Sequence, residues 1–408
     1  MVGATTSVRG PARAARAGTG ASLLVILAGM AGALHVWKLA PALPALSEDL
    51  GLSLVQGGFL LAVVQVAGML LGVPVGMAGD RIGLRRALLL GLTLLTAGSA
   101  AGIGSAGYWP LLTSRVVEGV GFMLVSICAP ALVRRTAPPA RVALLTGVWG
   151  CHMPLAAVLS LLVGGQLEWR AWWGAAALFS GLMAAAVLVA VEPDPASATP
   201  GGAAGRLRAT LRARGPLLVA LIFLLYTAQW NGIVQFLPTM YADAGRDVGS
   251  AAALGALVAG VNAVGNLGAG AALHRGARPP VLWVTGFAAM GLAAVVAFGV
   301  APLLGPDVEL GVRYGAVLVF SAVGGVVPTT VVAGLMRTAP SAAAMGTALG
   351  MGQQLNALGQ FAGPPVVAAV AQGTGTWDLT WTVTAAFAAC GIAVASQVAR
   401  RAPSVLRG

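Results

Sequence analysis

Residues 76–86 read Gly-Met-Ala-Gly-Asp-Arg-Ile-Gly-Leu-Arg-Arg, and this stretch interrupts a long run of apolar sequence. Apolar residues dominate positions 54–79 before it and 85–105 after it. Its three glycines permit a tight turn and close approach of neighbouring helices, and one carboxylate stands among three guanidinium groups. The pattern indicates two long apolar helices joined by a short basic loop.

The composition of the whole chain extends this interpretation. The 408 residues are 58% hydrophobic and 9% charged, and the mean hydropathy is +0.88. A soluble protein carries about 25% charged residues, so this chain cannot cover a soluble surface. The 58 glycines are typical of closely packed transmembrane helices. The sequence therefore predicts an integral membrane protein with many spans.

A membrane span needs about 20 mostly apolar residues, and this rule predicts twelve of them. Before the first, Arg9, Arg13 and Arg16 precede an apolar run from Leu23, as in a cleaved signal peptide. The run continues to Leu46, which favours a retained first helix. The twelve predicted spans are 20–46, 54–79, 85–105, 109–133, 142–166, 171–191, 215–241, 249–273, 279–301, 311–336, 341–371 and 379–399.

One long polar connection divides the chain. Residues 192–214 are rich in Pro, Gly and Arg and separate two blocks of six spans. We expect an all-α fold of twelve transmembrane helices in two six-helix halves, as repeats around a midplane site would give. The predicted regions are an N-terminal tail (1–19), an N-terminal bundle (20–191), a linker (192–214), a C-terminal bundle (215–399) and a C-terminal tail (400–408).

The net charge of +12 follows the predicted topology. With both termini on the cytoplasmic side, the inner segments hold 19 arginines and the outer loops hold three. Because Lys and Arg concentrate on the cytoplasmic side, this orientation is favoured. The excess charge thus reflects orientation, and no nucleic-acid partner is expected.

The loop at 76–86 resembles the Gly-x3-Asp-Arg-x-Gly-x-Arg-Arg signature of the major facilitator superfamily. A second stretch, residues 115–121 (Arg-Val-Val-Glu-Gly-Val-Gly), is similar to a pattern of that family in span 4. The resemblance implies a transporter of the bacterial inner membrane that works by alternating access. It also implies a cytoplasmic gate at this loop. The alternative is that the arginines only fix the orientation of the chain in the membrane. The gate residues would be Asp80, Arg81, Arg85, Gly76 and Gly83.

Three further stretches are similar to a narrower branch of the family, the cyanate and nitroimidazole transporter-like group. They are residues 149–154, 236–239 and 354–365. In contrast, the Gly-Pro-x-x-Gly-Gly run of the family's antiporters is absent from span 5, which disfavours drug/proton exchange. The second half has a partial copy of the loop signature around Arg275 and Arg278, and this copy lacks the aspartate.

An ionisable residue within a membrane span costs free energy, so such residues are functional candidates by default. His35 and Lys38 share one face of span 1, and Arg115 and Glu118 share one face of span 4, each pair at i, i+3 spacing. In the family fold these spans line one cavity, so Lys38, Arg115 and His35 are predicted to bind an anion. Glu118, with His35 as competitor, is predicted to carry a coupling proton. Each of these roles has an alternative. Lys38 could extend to the membrane interface, Arg115 and Glu118 could form a purely structural ion pair, and His35 could be a packed core residue.

Polar residues of the second half are neutral. Tyr226, Trp230 and Gln354 are the candidates there for contacts with the uncharged part of a substrate, and His152 in span 5 is a further candidate. Polar contacts between helices are the alternative for each. Cys151, His152 and Met153 have side chains of the kind that bind copper. Adjacent residues on a helix point about 100° apart, however, so the three cannot chelate one ion. No metal site or cofactor is predicted.

The predicted function is secondary active transport of a small anionic organic solute, with proton symport as the coupling. The alternative within the family is efflux of drugs or other small molecules, which predicts acids in place of Lys and Arg in the cavity. A membrane enzyme or a receptor would need clustered catalytic ligands or a signalling domain, so an enzyme is not expected. The predicted partners are the substrate, protons and the lipid bilayer, and the chain is expected to be a monomer.

Overall fold

A computed structural model describes residues 11–70, 83–142, 145, 148–149, 151–194, 203–341 and 344–401. Throughout these residues the regular structure is helical. Of the predicted gate residues, Gly76, Asp80 and Arg81 lie outside the described residues, whereas Gly83 and Arg85 lie within them. The predicted all-α membrane fold is confirmed.

The first half contains the helices of spans 1 to 6. Span 1 consists of two helices, and the described part of span 5 is shorter than the others. The helices are α1 (Pro11–Trp37), α2 (Leu39–Leu50), α3 (Leu54–Leu70), α4 (Leu84–Ile103), α5 (Tyr108–Thr136), α6 (His152–Gly164) and α7 (Trp169–Ala190).

The second half contains the helices of spans 7 to 12, which follow a helix within the polar linker. Span 11, predicted at 341–371, is one continuous helix. The helices are α8 in the linker (Ala203–Arg212), α9 (Arg214–Val234), α10 (Leu237–Asp243), α11 (Val248–His274), α12 (Pro279–Ala294), α13 (Pro306–Gly324), α14 (Val326–Thr338), α15 (Met345–Thr374) and α16 (Trp381–Arg401).

Spans 1 and 7 are both interrupted shortly before a proline. Proline has no backbone N–H and its ring crowds the carbonyl four residues earlier, so a helix kinks or breaks there. In span 1, α1 ends at Trp37, four residues before Pro41. In span 7, α9 ends at Val234, four residues before Pro238. The short helices that follow, α2 and α10, contact each other across the two halves.

Hydrogen bonds of glutamine side chains join spans 2 and 11, which belong to different halves. Near the middle of the contact, Gln65 Nε2 donates to Gln360 Oε1 at 2.9 Å, and both side chains are buried. Towards one end, Gln354 Nε2 donates to the carbonyl of Met69 at 2.7 Å. At the other end, the N–H of Val55 donates to Gln372 Oε1 at 3.1 Å. Because bilayer lipid offers no competing partner, such bonds hold helices together.

We predict that Gln360→Leu destabilises the protein by about 1 kcal/mol, because Gln65 then has a buried amide without its partner. Thermal unfolding in detergent measures this loss. Gln353→Leu is the matched control, since Gln353 is exposed on the same helix. In a double-mutant cycle, Gln65→Leu should cost less in the Gln360→Leu background than in the wild type. Fully additive losses would contradict a direct coupling.

Candidate functional site

The four ionisable residues of spans 1 and 4 form one buried cluster, in which every side chain is 0% exposed. The Lys38 ammonium donates to Glu118 Oε1. Arg115 Nη1 donates to Glu118 Oε2 at 2.5 Å, and His35 Nδ1 lies 3.2 Å from Glu118 Oε1. Glu118 is thus surrounded by three basic side chains.

The break in span 1 helps to hold this cluster. The first helix of span 1 ends here, where the N–H of Lys38 donates to the carbonyl of Leu34 at 2.8 Å, and side chains of other spans donate to two nearby carbonyls. Arg115 Nη1 donates to the carbonyl of His35 at 2.6 Å, and Trp172 Nε1 donates to the carbonyl of Lys38 at 3.1 Å. The carbonyls of His35 and Lys38 therefore help to hold span 1 against spans 4 and 6.

Neutral side chains of spans 3 and 6 complete the surroundings. Lys38 Nζ donates to Ser99 Oγ at 2.6 Å and lies 4.3 Å from the centroid of the Trp173 ring. His35 Nε2 lies 2.8 Å from Ser180 Oγ. A Cβ atom at Gly98 would lie 2.8 Å from Glu118 Cγ, so glycine is what lets span 3 approach the carboxylate. These contacts place the cluster inside the N-terminal bundle.

The cluster has more positive than negative charge, and one N–H group of its guanidinium has no acceptor among the described residues. Arg115 Nε donates to the carbonyl of Leu60 at 3.3 Å, but Arg115 Nη2 is buried and has no hydrogen-bond partner among the described residues. Two cations face one carboxylate when His35 is neutral. A buried guanidinium N–H without an acceptor is costly, and an anion would satisfy it.

Tyr226 and Trp230 lie together at the contact between the halves. Asn262 Nδ2 donates to the Tyr226 hydroxyl at 3.1 Å, and Trp230 Nε1 donates to Ser321 Oγ at 3.0 Å. Trp37 of span 1 packs edge-on against Trp230, with ring centroids 5.6 Å apart. Trp37 directly precedes Lys38 in the chain, and its ring extends from span 1 to the second half.

The two remaining candidates lie elsewhere. Gln354 donates to Met69 in the contact between spans 2 and 11. His152 Nδ1 lies 2.7 Å from the carbonyl of Trp149, and the two rings stack with centroids 4.1 Å apart. The structure brings neither side chain into contact with the ionic cluster.

Sequence reasoning missed several neighbours of the site. Ser99, Trp173 and Ser180 contact Lys38 or His35, and Trp37 links the halves, yet none was singled out. Serines and aromatics are common in membrane helices, and they carry no local signal that distinguishes a neighbour of a charge. The one usable signal was Trp37, a tryptophan deep in an apolar span and next to the protein's single lysine.

The described gate residues, Gly83 and Arg85, lie against Asp194 after span 6. Asp194 accepts hydrogen bonds from the backbone N–H groups of Arg85 (3.0 Å) and Arg86 (3.2 Å) at the start of α4. It also pairs with Arg135 at 2.7 Å. Gly83 has φ of +91°, which favours glycine, and a Cβ there would collide with the Asp194 carboxylate.

These contacts set the charge of Asp194. Partial burial raises its pKa, but the backbone donors and the Arg135 guanidinium outweigh burial, so the pKa lies below its ordinary value. Its contribution to stability is therefore present above the ordinary Asp range and is lost as the pH falls through the lowered pKa. Asp194 was not predicted, because it lies more than 100 residues from its partner Arg85 in the chain.

We predict that Asp194→Asn lowers the unfolding free energy by about 1 kcal/mol near neutral pH, because a carboxylate at a helix N-terminus is lost together with an ion pair. The difference from the wild type should shrink only as the pH falls below the ordinary Asp range, where the wild-type carboxylate with its lowered pKa is protonated. Thermal unfolding across pH measures both effects. Glu192→Gln, an exposed side chain on the same segment, is the control. A difference that does not change with pH would contradict a charge effect.

The fold and this site define a membrane transporter. The sequence profile of the Major Facilitator Superfamily matches residues 21–364. Because the match covers most of the chain, the protein belongs to the Major Facilitator Superfamily.

Curated relatives match the chain over shorter segments. The methyl viologen resistance protein SmvA of Salmonella typhimurium is 32% identical over 165 residues, which is 39% of this chain and 32% of that protein. The tetracenomycin C resistance and export protein of Streptomyces glaucescens is 30% identical over 187 residues, 44% of this chain and 34% of that protein. The hexuronate transporter of Bacillus subtilis is 26% identical over 151 residues, 37% and 36% respectively. The chain thus matches about a third of the length of these relatives.

Solved structures agree in fold across nearly the whole chain. A bacterial homologue of the human lysosomal transporter Spinster, inward-facing and occupied, has a TM-score of 0.77 at 15% identity. That match covers 96% of this chain and 98% of the other. A D-xylose-proton symporter has a TM-score of 0.72 at 16% identity and covers 92% and 96%. At these identities the likeness concerns the fold alone.

Proposed function

We propose that the protein transports a small organic anion by alternating access, with a proton as the coupling ion. The observation that carries this proposal is the arrangement around Glu118. One carboxylate there faces Lys38 and Arg115, and Arg115 Nη2 has no partner in the described part of the chain.

The charge balance favours an anion. A charge in the bilayer core costs several kcal/mol, so an uncompensated positive charge there demands a counter-charge. Glu118 supplies one negative charge for two cations, and its oxygens are already occupied. A carboxylate substrate would supply the second and would accept from the free N–H of Arg115.

The same geometry supports coupling to a proton. Glu118 is the one acid within the predicted spans. An anion that draws Lys38 and Arg115 towards itself would leave Glu118 with fewer cationic partners, and a buried carboxylate in that position binds a proton. Release of the anion would restore the ion pairs and expel the proton, so the two movements are linked. His35, held by Ser180, is the competing carrier.

The second half would orient the uncharged part of the substrate. Trp230 and Tyr226 are anchored by Ser321 and Asn262, so both rings have fixed positions. Trp37 reaches Trp230 from the first half, where the ionic cluster lies. A substrate between the halves would then contact charge on one side and aromatic and amide groups on the other.

The topology and the location are part of the proposal. Arginines concentrate on the segments predicted to face the cytoplasm, which supports a bacterial inner-membrane protein with both termini inside. Under that orientation α2 and α10 meet on the outer side, where the halves would separate and close during transport. Gly83, Arg85 and Asp194 would lie at the cytoplasmic ends of spans 3 and 6.

Efflux of drugs is the second candidate function, and the names of two relatives favour it. One confers resistance to methyl viologen and another exports tetracenomycin C. The hexuronate transporter among the relatives favours an anionic substrate instead. A site for cations needs a free carboxylate, whereas Glu118 is fully paired. The narrower likeness to the cyanate and nitroimidazole group remains a prediction.

We expect small carboxylates, cyanate, nitrate or nitro-aromatic compounds to raise the melting temperature of the purified protein in a thermal-shift screen. Lys38→Gln should abolish the shift, because the cluster then has no excess positive charge, and Lys38→Arg should keep part of it. Arg170→Gln is the control, since it removes a cation that pairs with Asp49 outside the cluster. An unchanged shift in Lys38→Gln would contradict anion binding, and a shift with lipophilic cations alone would favour efflux.

For coupling, we expect Glu118→Gln to lose pH-driven accumulation in proteoliposomes and to retain exchange of substrate down its gradient. The amide keeps the shape of the side chain but cannot carry the proton. His35→Asn tests the competing carrier in the same assay. Normal accumulation in Glu118→Gln would exclude Glu118 as the carrier, and loss in His35→Asn alone would assign the proton to the histidine.

A further inference from the structure

The linker helix α8 (Ala203–Arg212) leads directly into span 7. Only Ala213, which has extended backbone angles, separates it from α9, which begins at Arg214. The span that begins at Arg214 is long and apolar enough to cross a membrane. With its start at the bilayer surface, the last turn of α8 would lie near the lipid headgroups and its exposed face would meet the membrane.

That face combines arginines with an apolar side chain. Thr210 is fully buried. Successive residues on a helix are about 100° apart, so Arg208, Leu211 and Arg212 occupy an arc on the side away from Thr210. All three are exposed, and Leu211 is 57% exposed. The result is an exposed edge in which Arg208 and Arg212 lie next to each other and Leu211 borders them on one side.

The arginines of this edge have no acidic partners among the residues that the structure describes. No Asp or Glu occurs from residue 195 to residue 242. Arg135 and Arg170, in contrast, pair with Asp194 and Asp49. Within the described residues, Arg208 and Arg212 make no such ion pair. Their charge is left for an anion outside the chain.

We propose that α8 binds the headgroups of anionic phospholipids in the leaflet that faces it. Arg208 and Arg212 would contact lipid phosphates, which suit the fork of a guanidinium group. Leu211 would lie at the boundary between headgroups and acyl chains, as apolar residues of interfacial helices do. Orientation by basic loops explains on which side these arginines lie. It does not explain why the two arginines share the exposed edge of one short helix with Leu211, directly before a membrane span.

The experiment compares the full-length protein in nanodiscs of phosphatidylcholine with and without phosphatidylglycerol. We expect phosphatidylglycerol to raise the melting temperature and to remain bound in native mass spectrometry. The double variant Arg208→Gln/Arg212→Gln should weaken this lipid association by roughly 30-fold, since two basic residues near an anionic surface are removed. Leu211→Gln should weaken it in the same direction.

The control is Arg275→Gln/Arg278→Gln, which removes the same charge from another predicted cytoplasmic loop where both side chains are exposed. It should keep the phosphatidylglycerol effect. An equal loss in the control would overturn the proposal in favour of diffuse attraction by the whole inner face. No effect of phosphatidylglycerol on the wild type, or an equal effect of inorganic phosphate in phosphatidylcholine nanodiscs, would overturn it as well.

Discussion

A carboxylate in the interior of a membrane protein must be compensated, and much of the first half is arranged around that requirement at Glu118. Lys38 and Arg115 supply the charge, and Ser99 satisfies a further donor of the lysine. Arg115 also donates to the carbonyl of His35, close to the break in span 1. Gly98 leaves room for the carboxylate next to span 3. Removing any one of these contacts would leave a charge or a donor unsatisfied in a medium without water.

The two halves share a fold but differ in chemistry. Prolines interrupt spans 1 and 7 at comparable positions, and the short helices that follow, α2 and α10, contact each other. The first half then places charges beside its break, whereas the second places amides, a serine and aromatic rings. Trp37 and Trp230 form a contact between the two halves. Such a division is suited to a solute with one charged end and one neutral end.

Membership of the superfamily leaves the substrate open, because relatives with resistance and export names and a hexuronate transporter match the chain over similar lengths. The chemistry of the site is therefore the stronger guide. Its acid is paired three times, while a guanidinium N–H is left free. This asymmetry favours an anion over a cation.

By itself, the sequence determined the class of fold, the number of spans and the pairing of His35 with Lys38 and of Arg115 with Glu118 on shared helix faces. Hydropathy and the 3.6-residue period are local properties, so they can be derived from neighbouring residues. Only the tertiary structure decided that all four charges point into one cluster with Ser99 and Ser180, and that Asp194 caps the start of span 3. Those contacts join residues 59 to 145 positions apart. They depend on how each helix is rotated in the bundle, and that rotation is fixed by the packing of the neighbouring helices and not by the span's own sequence.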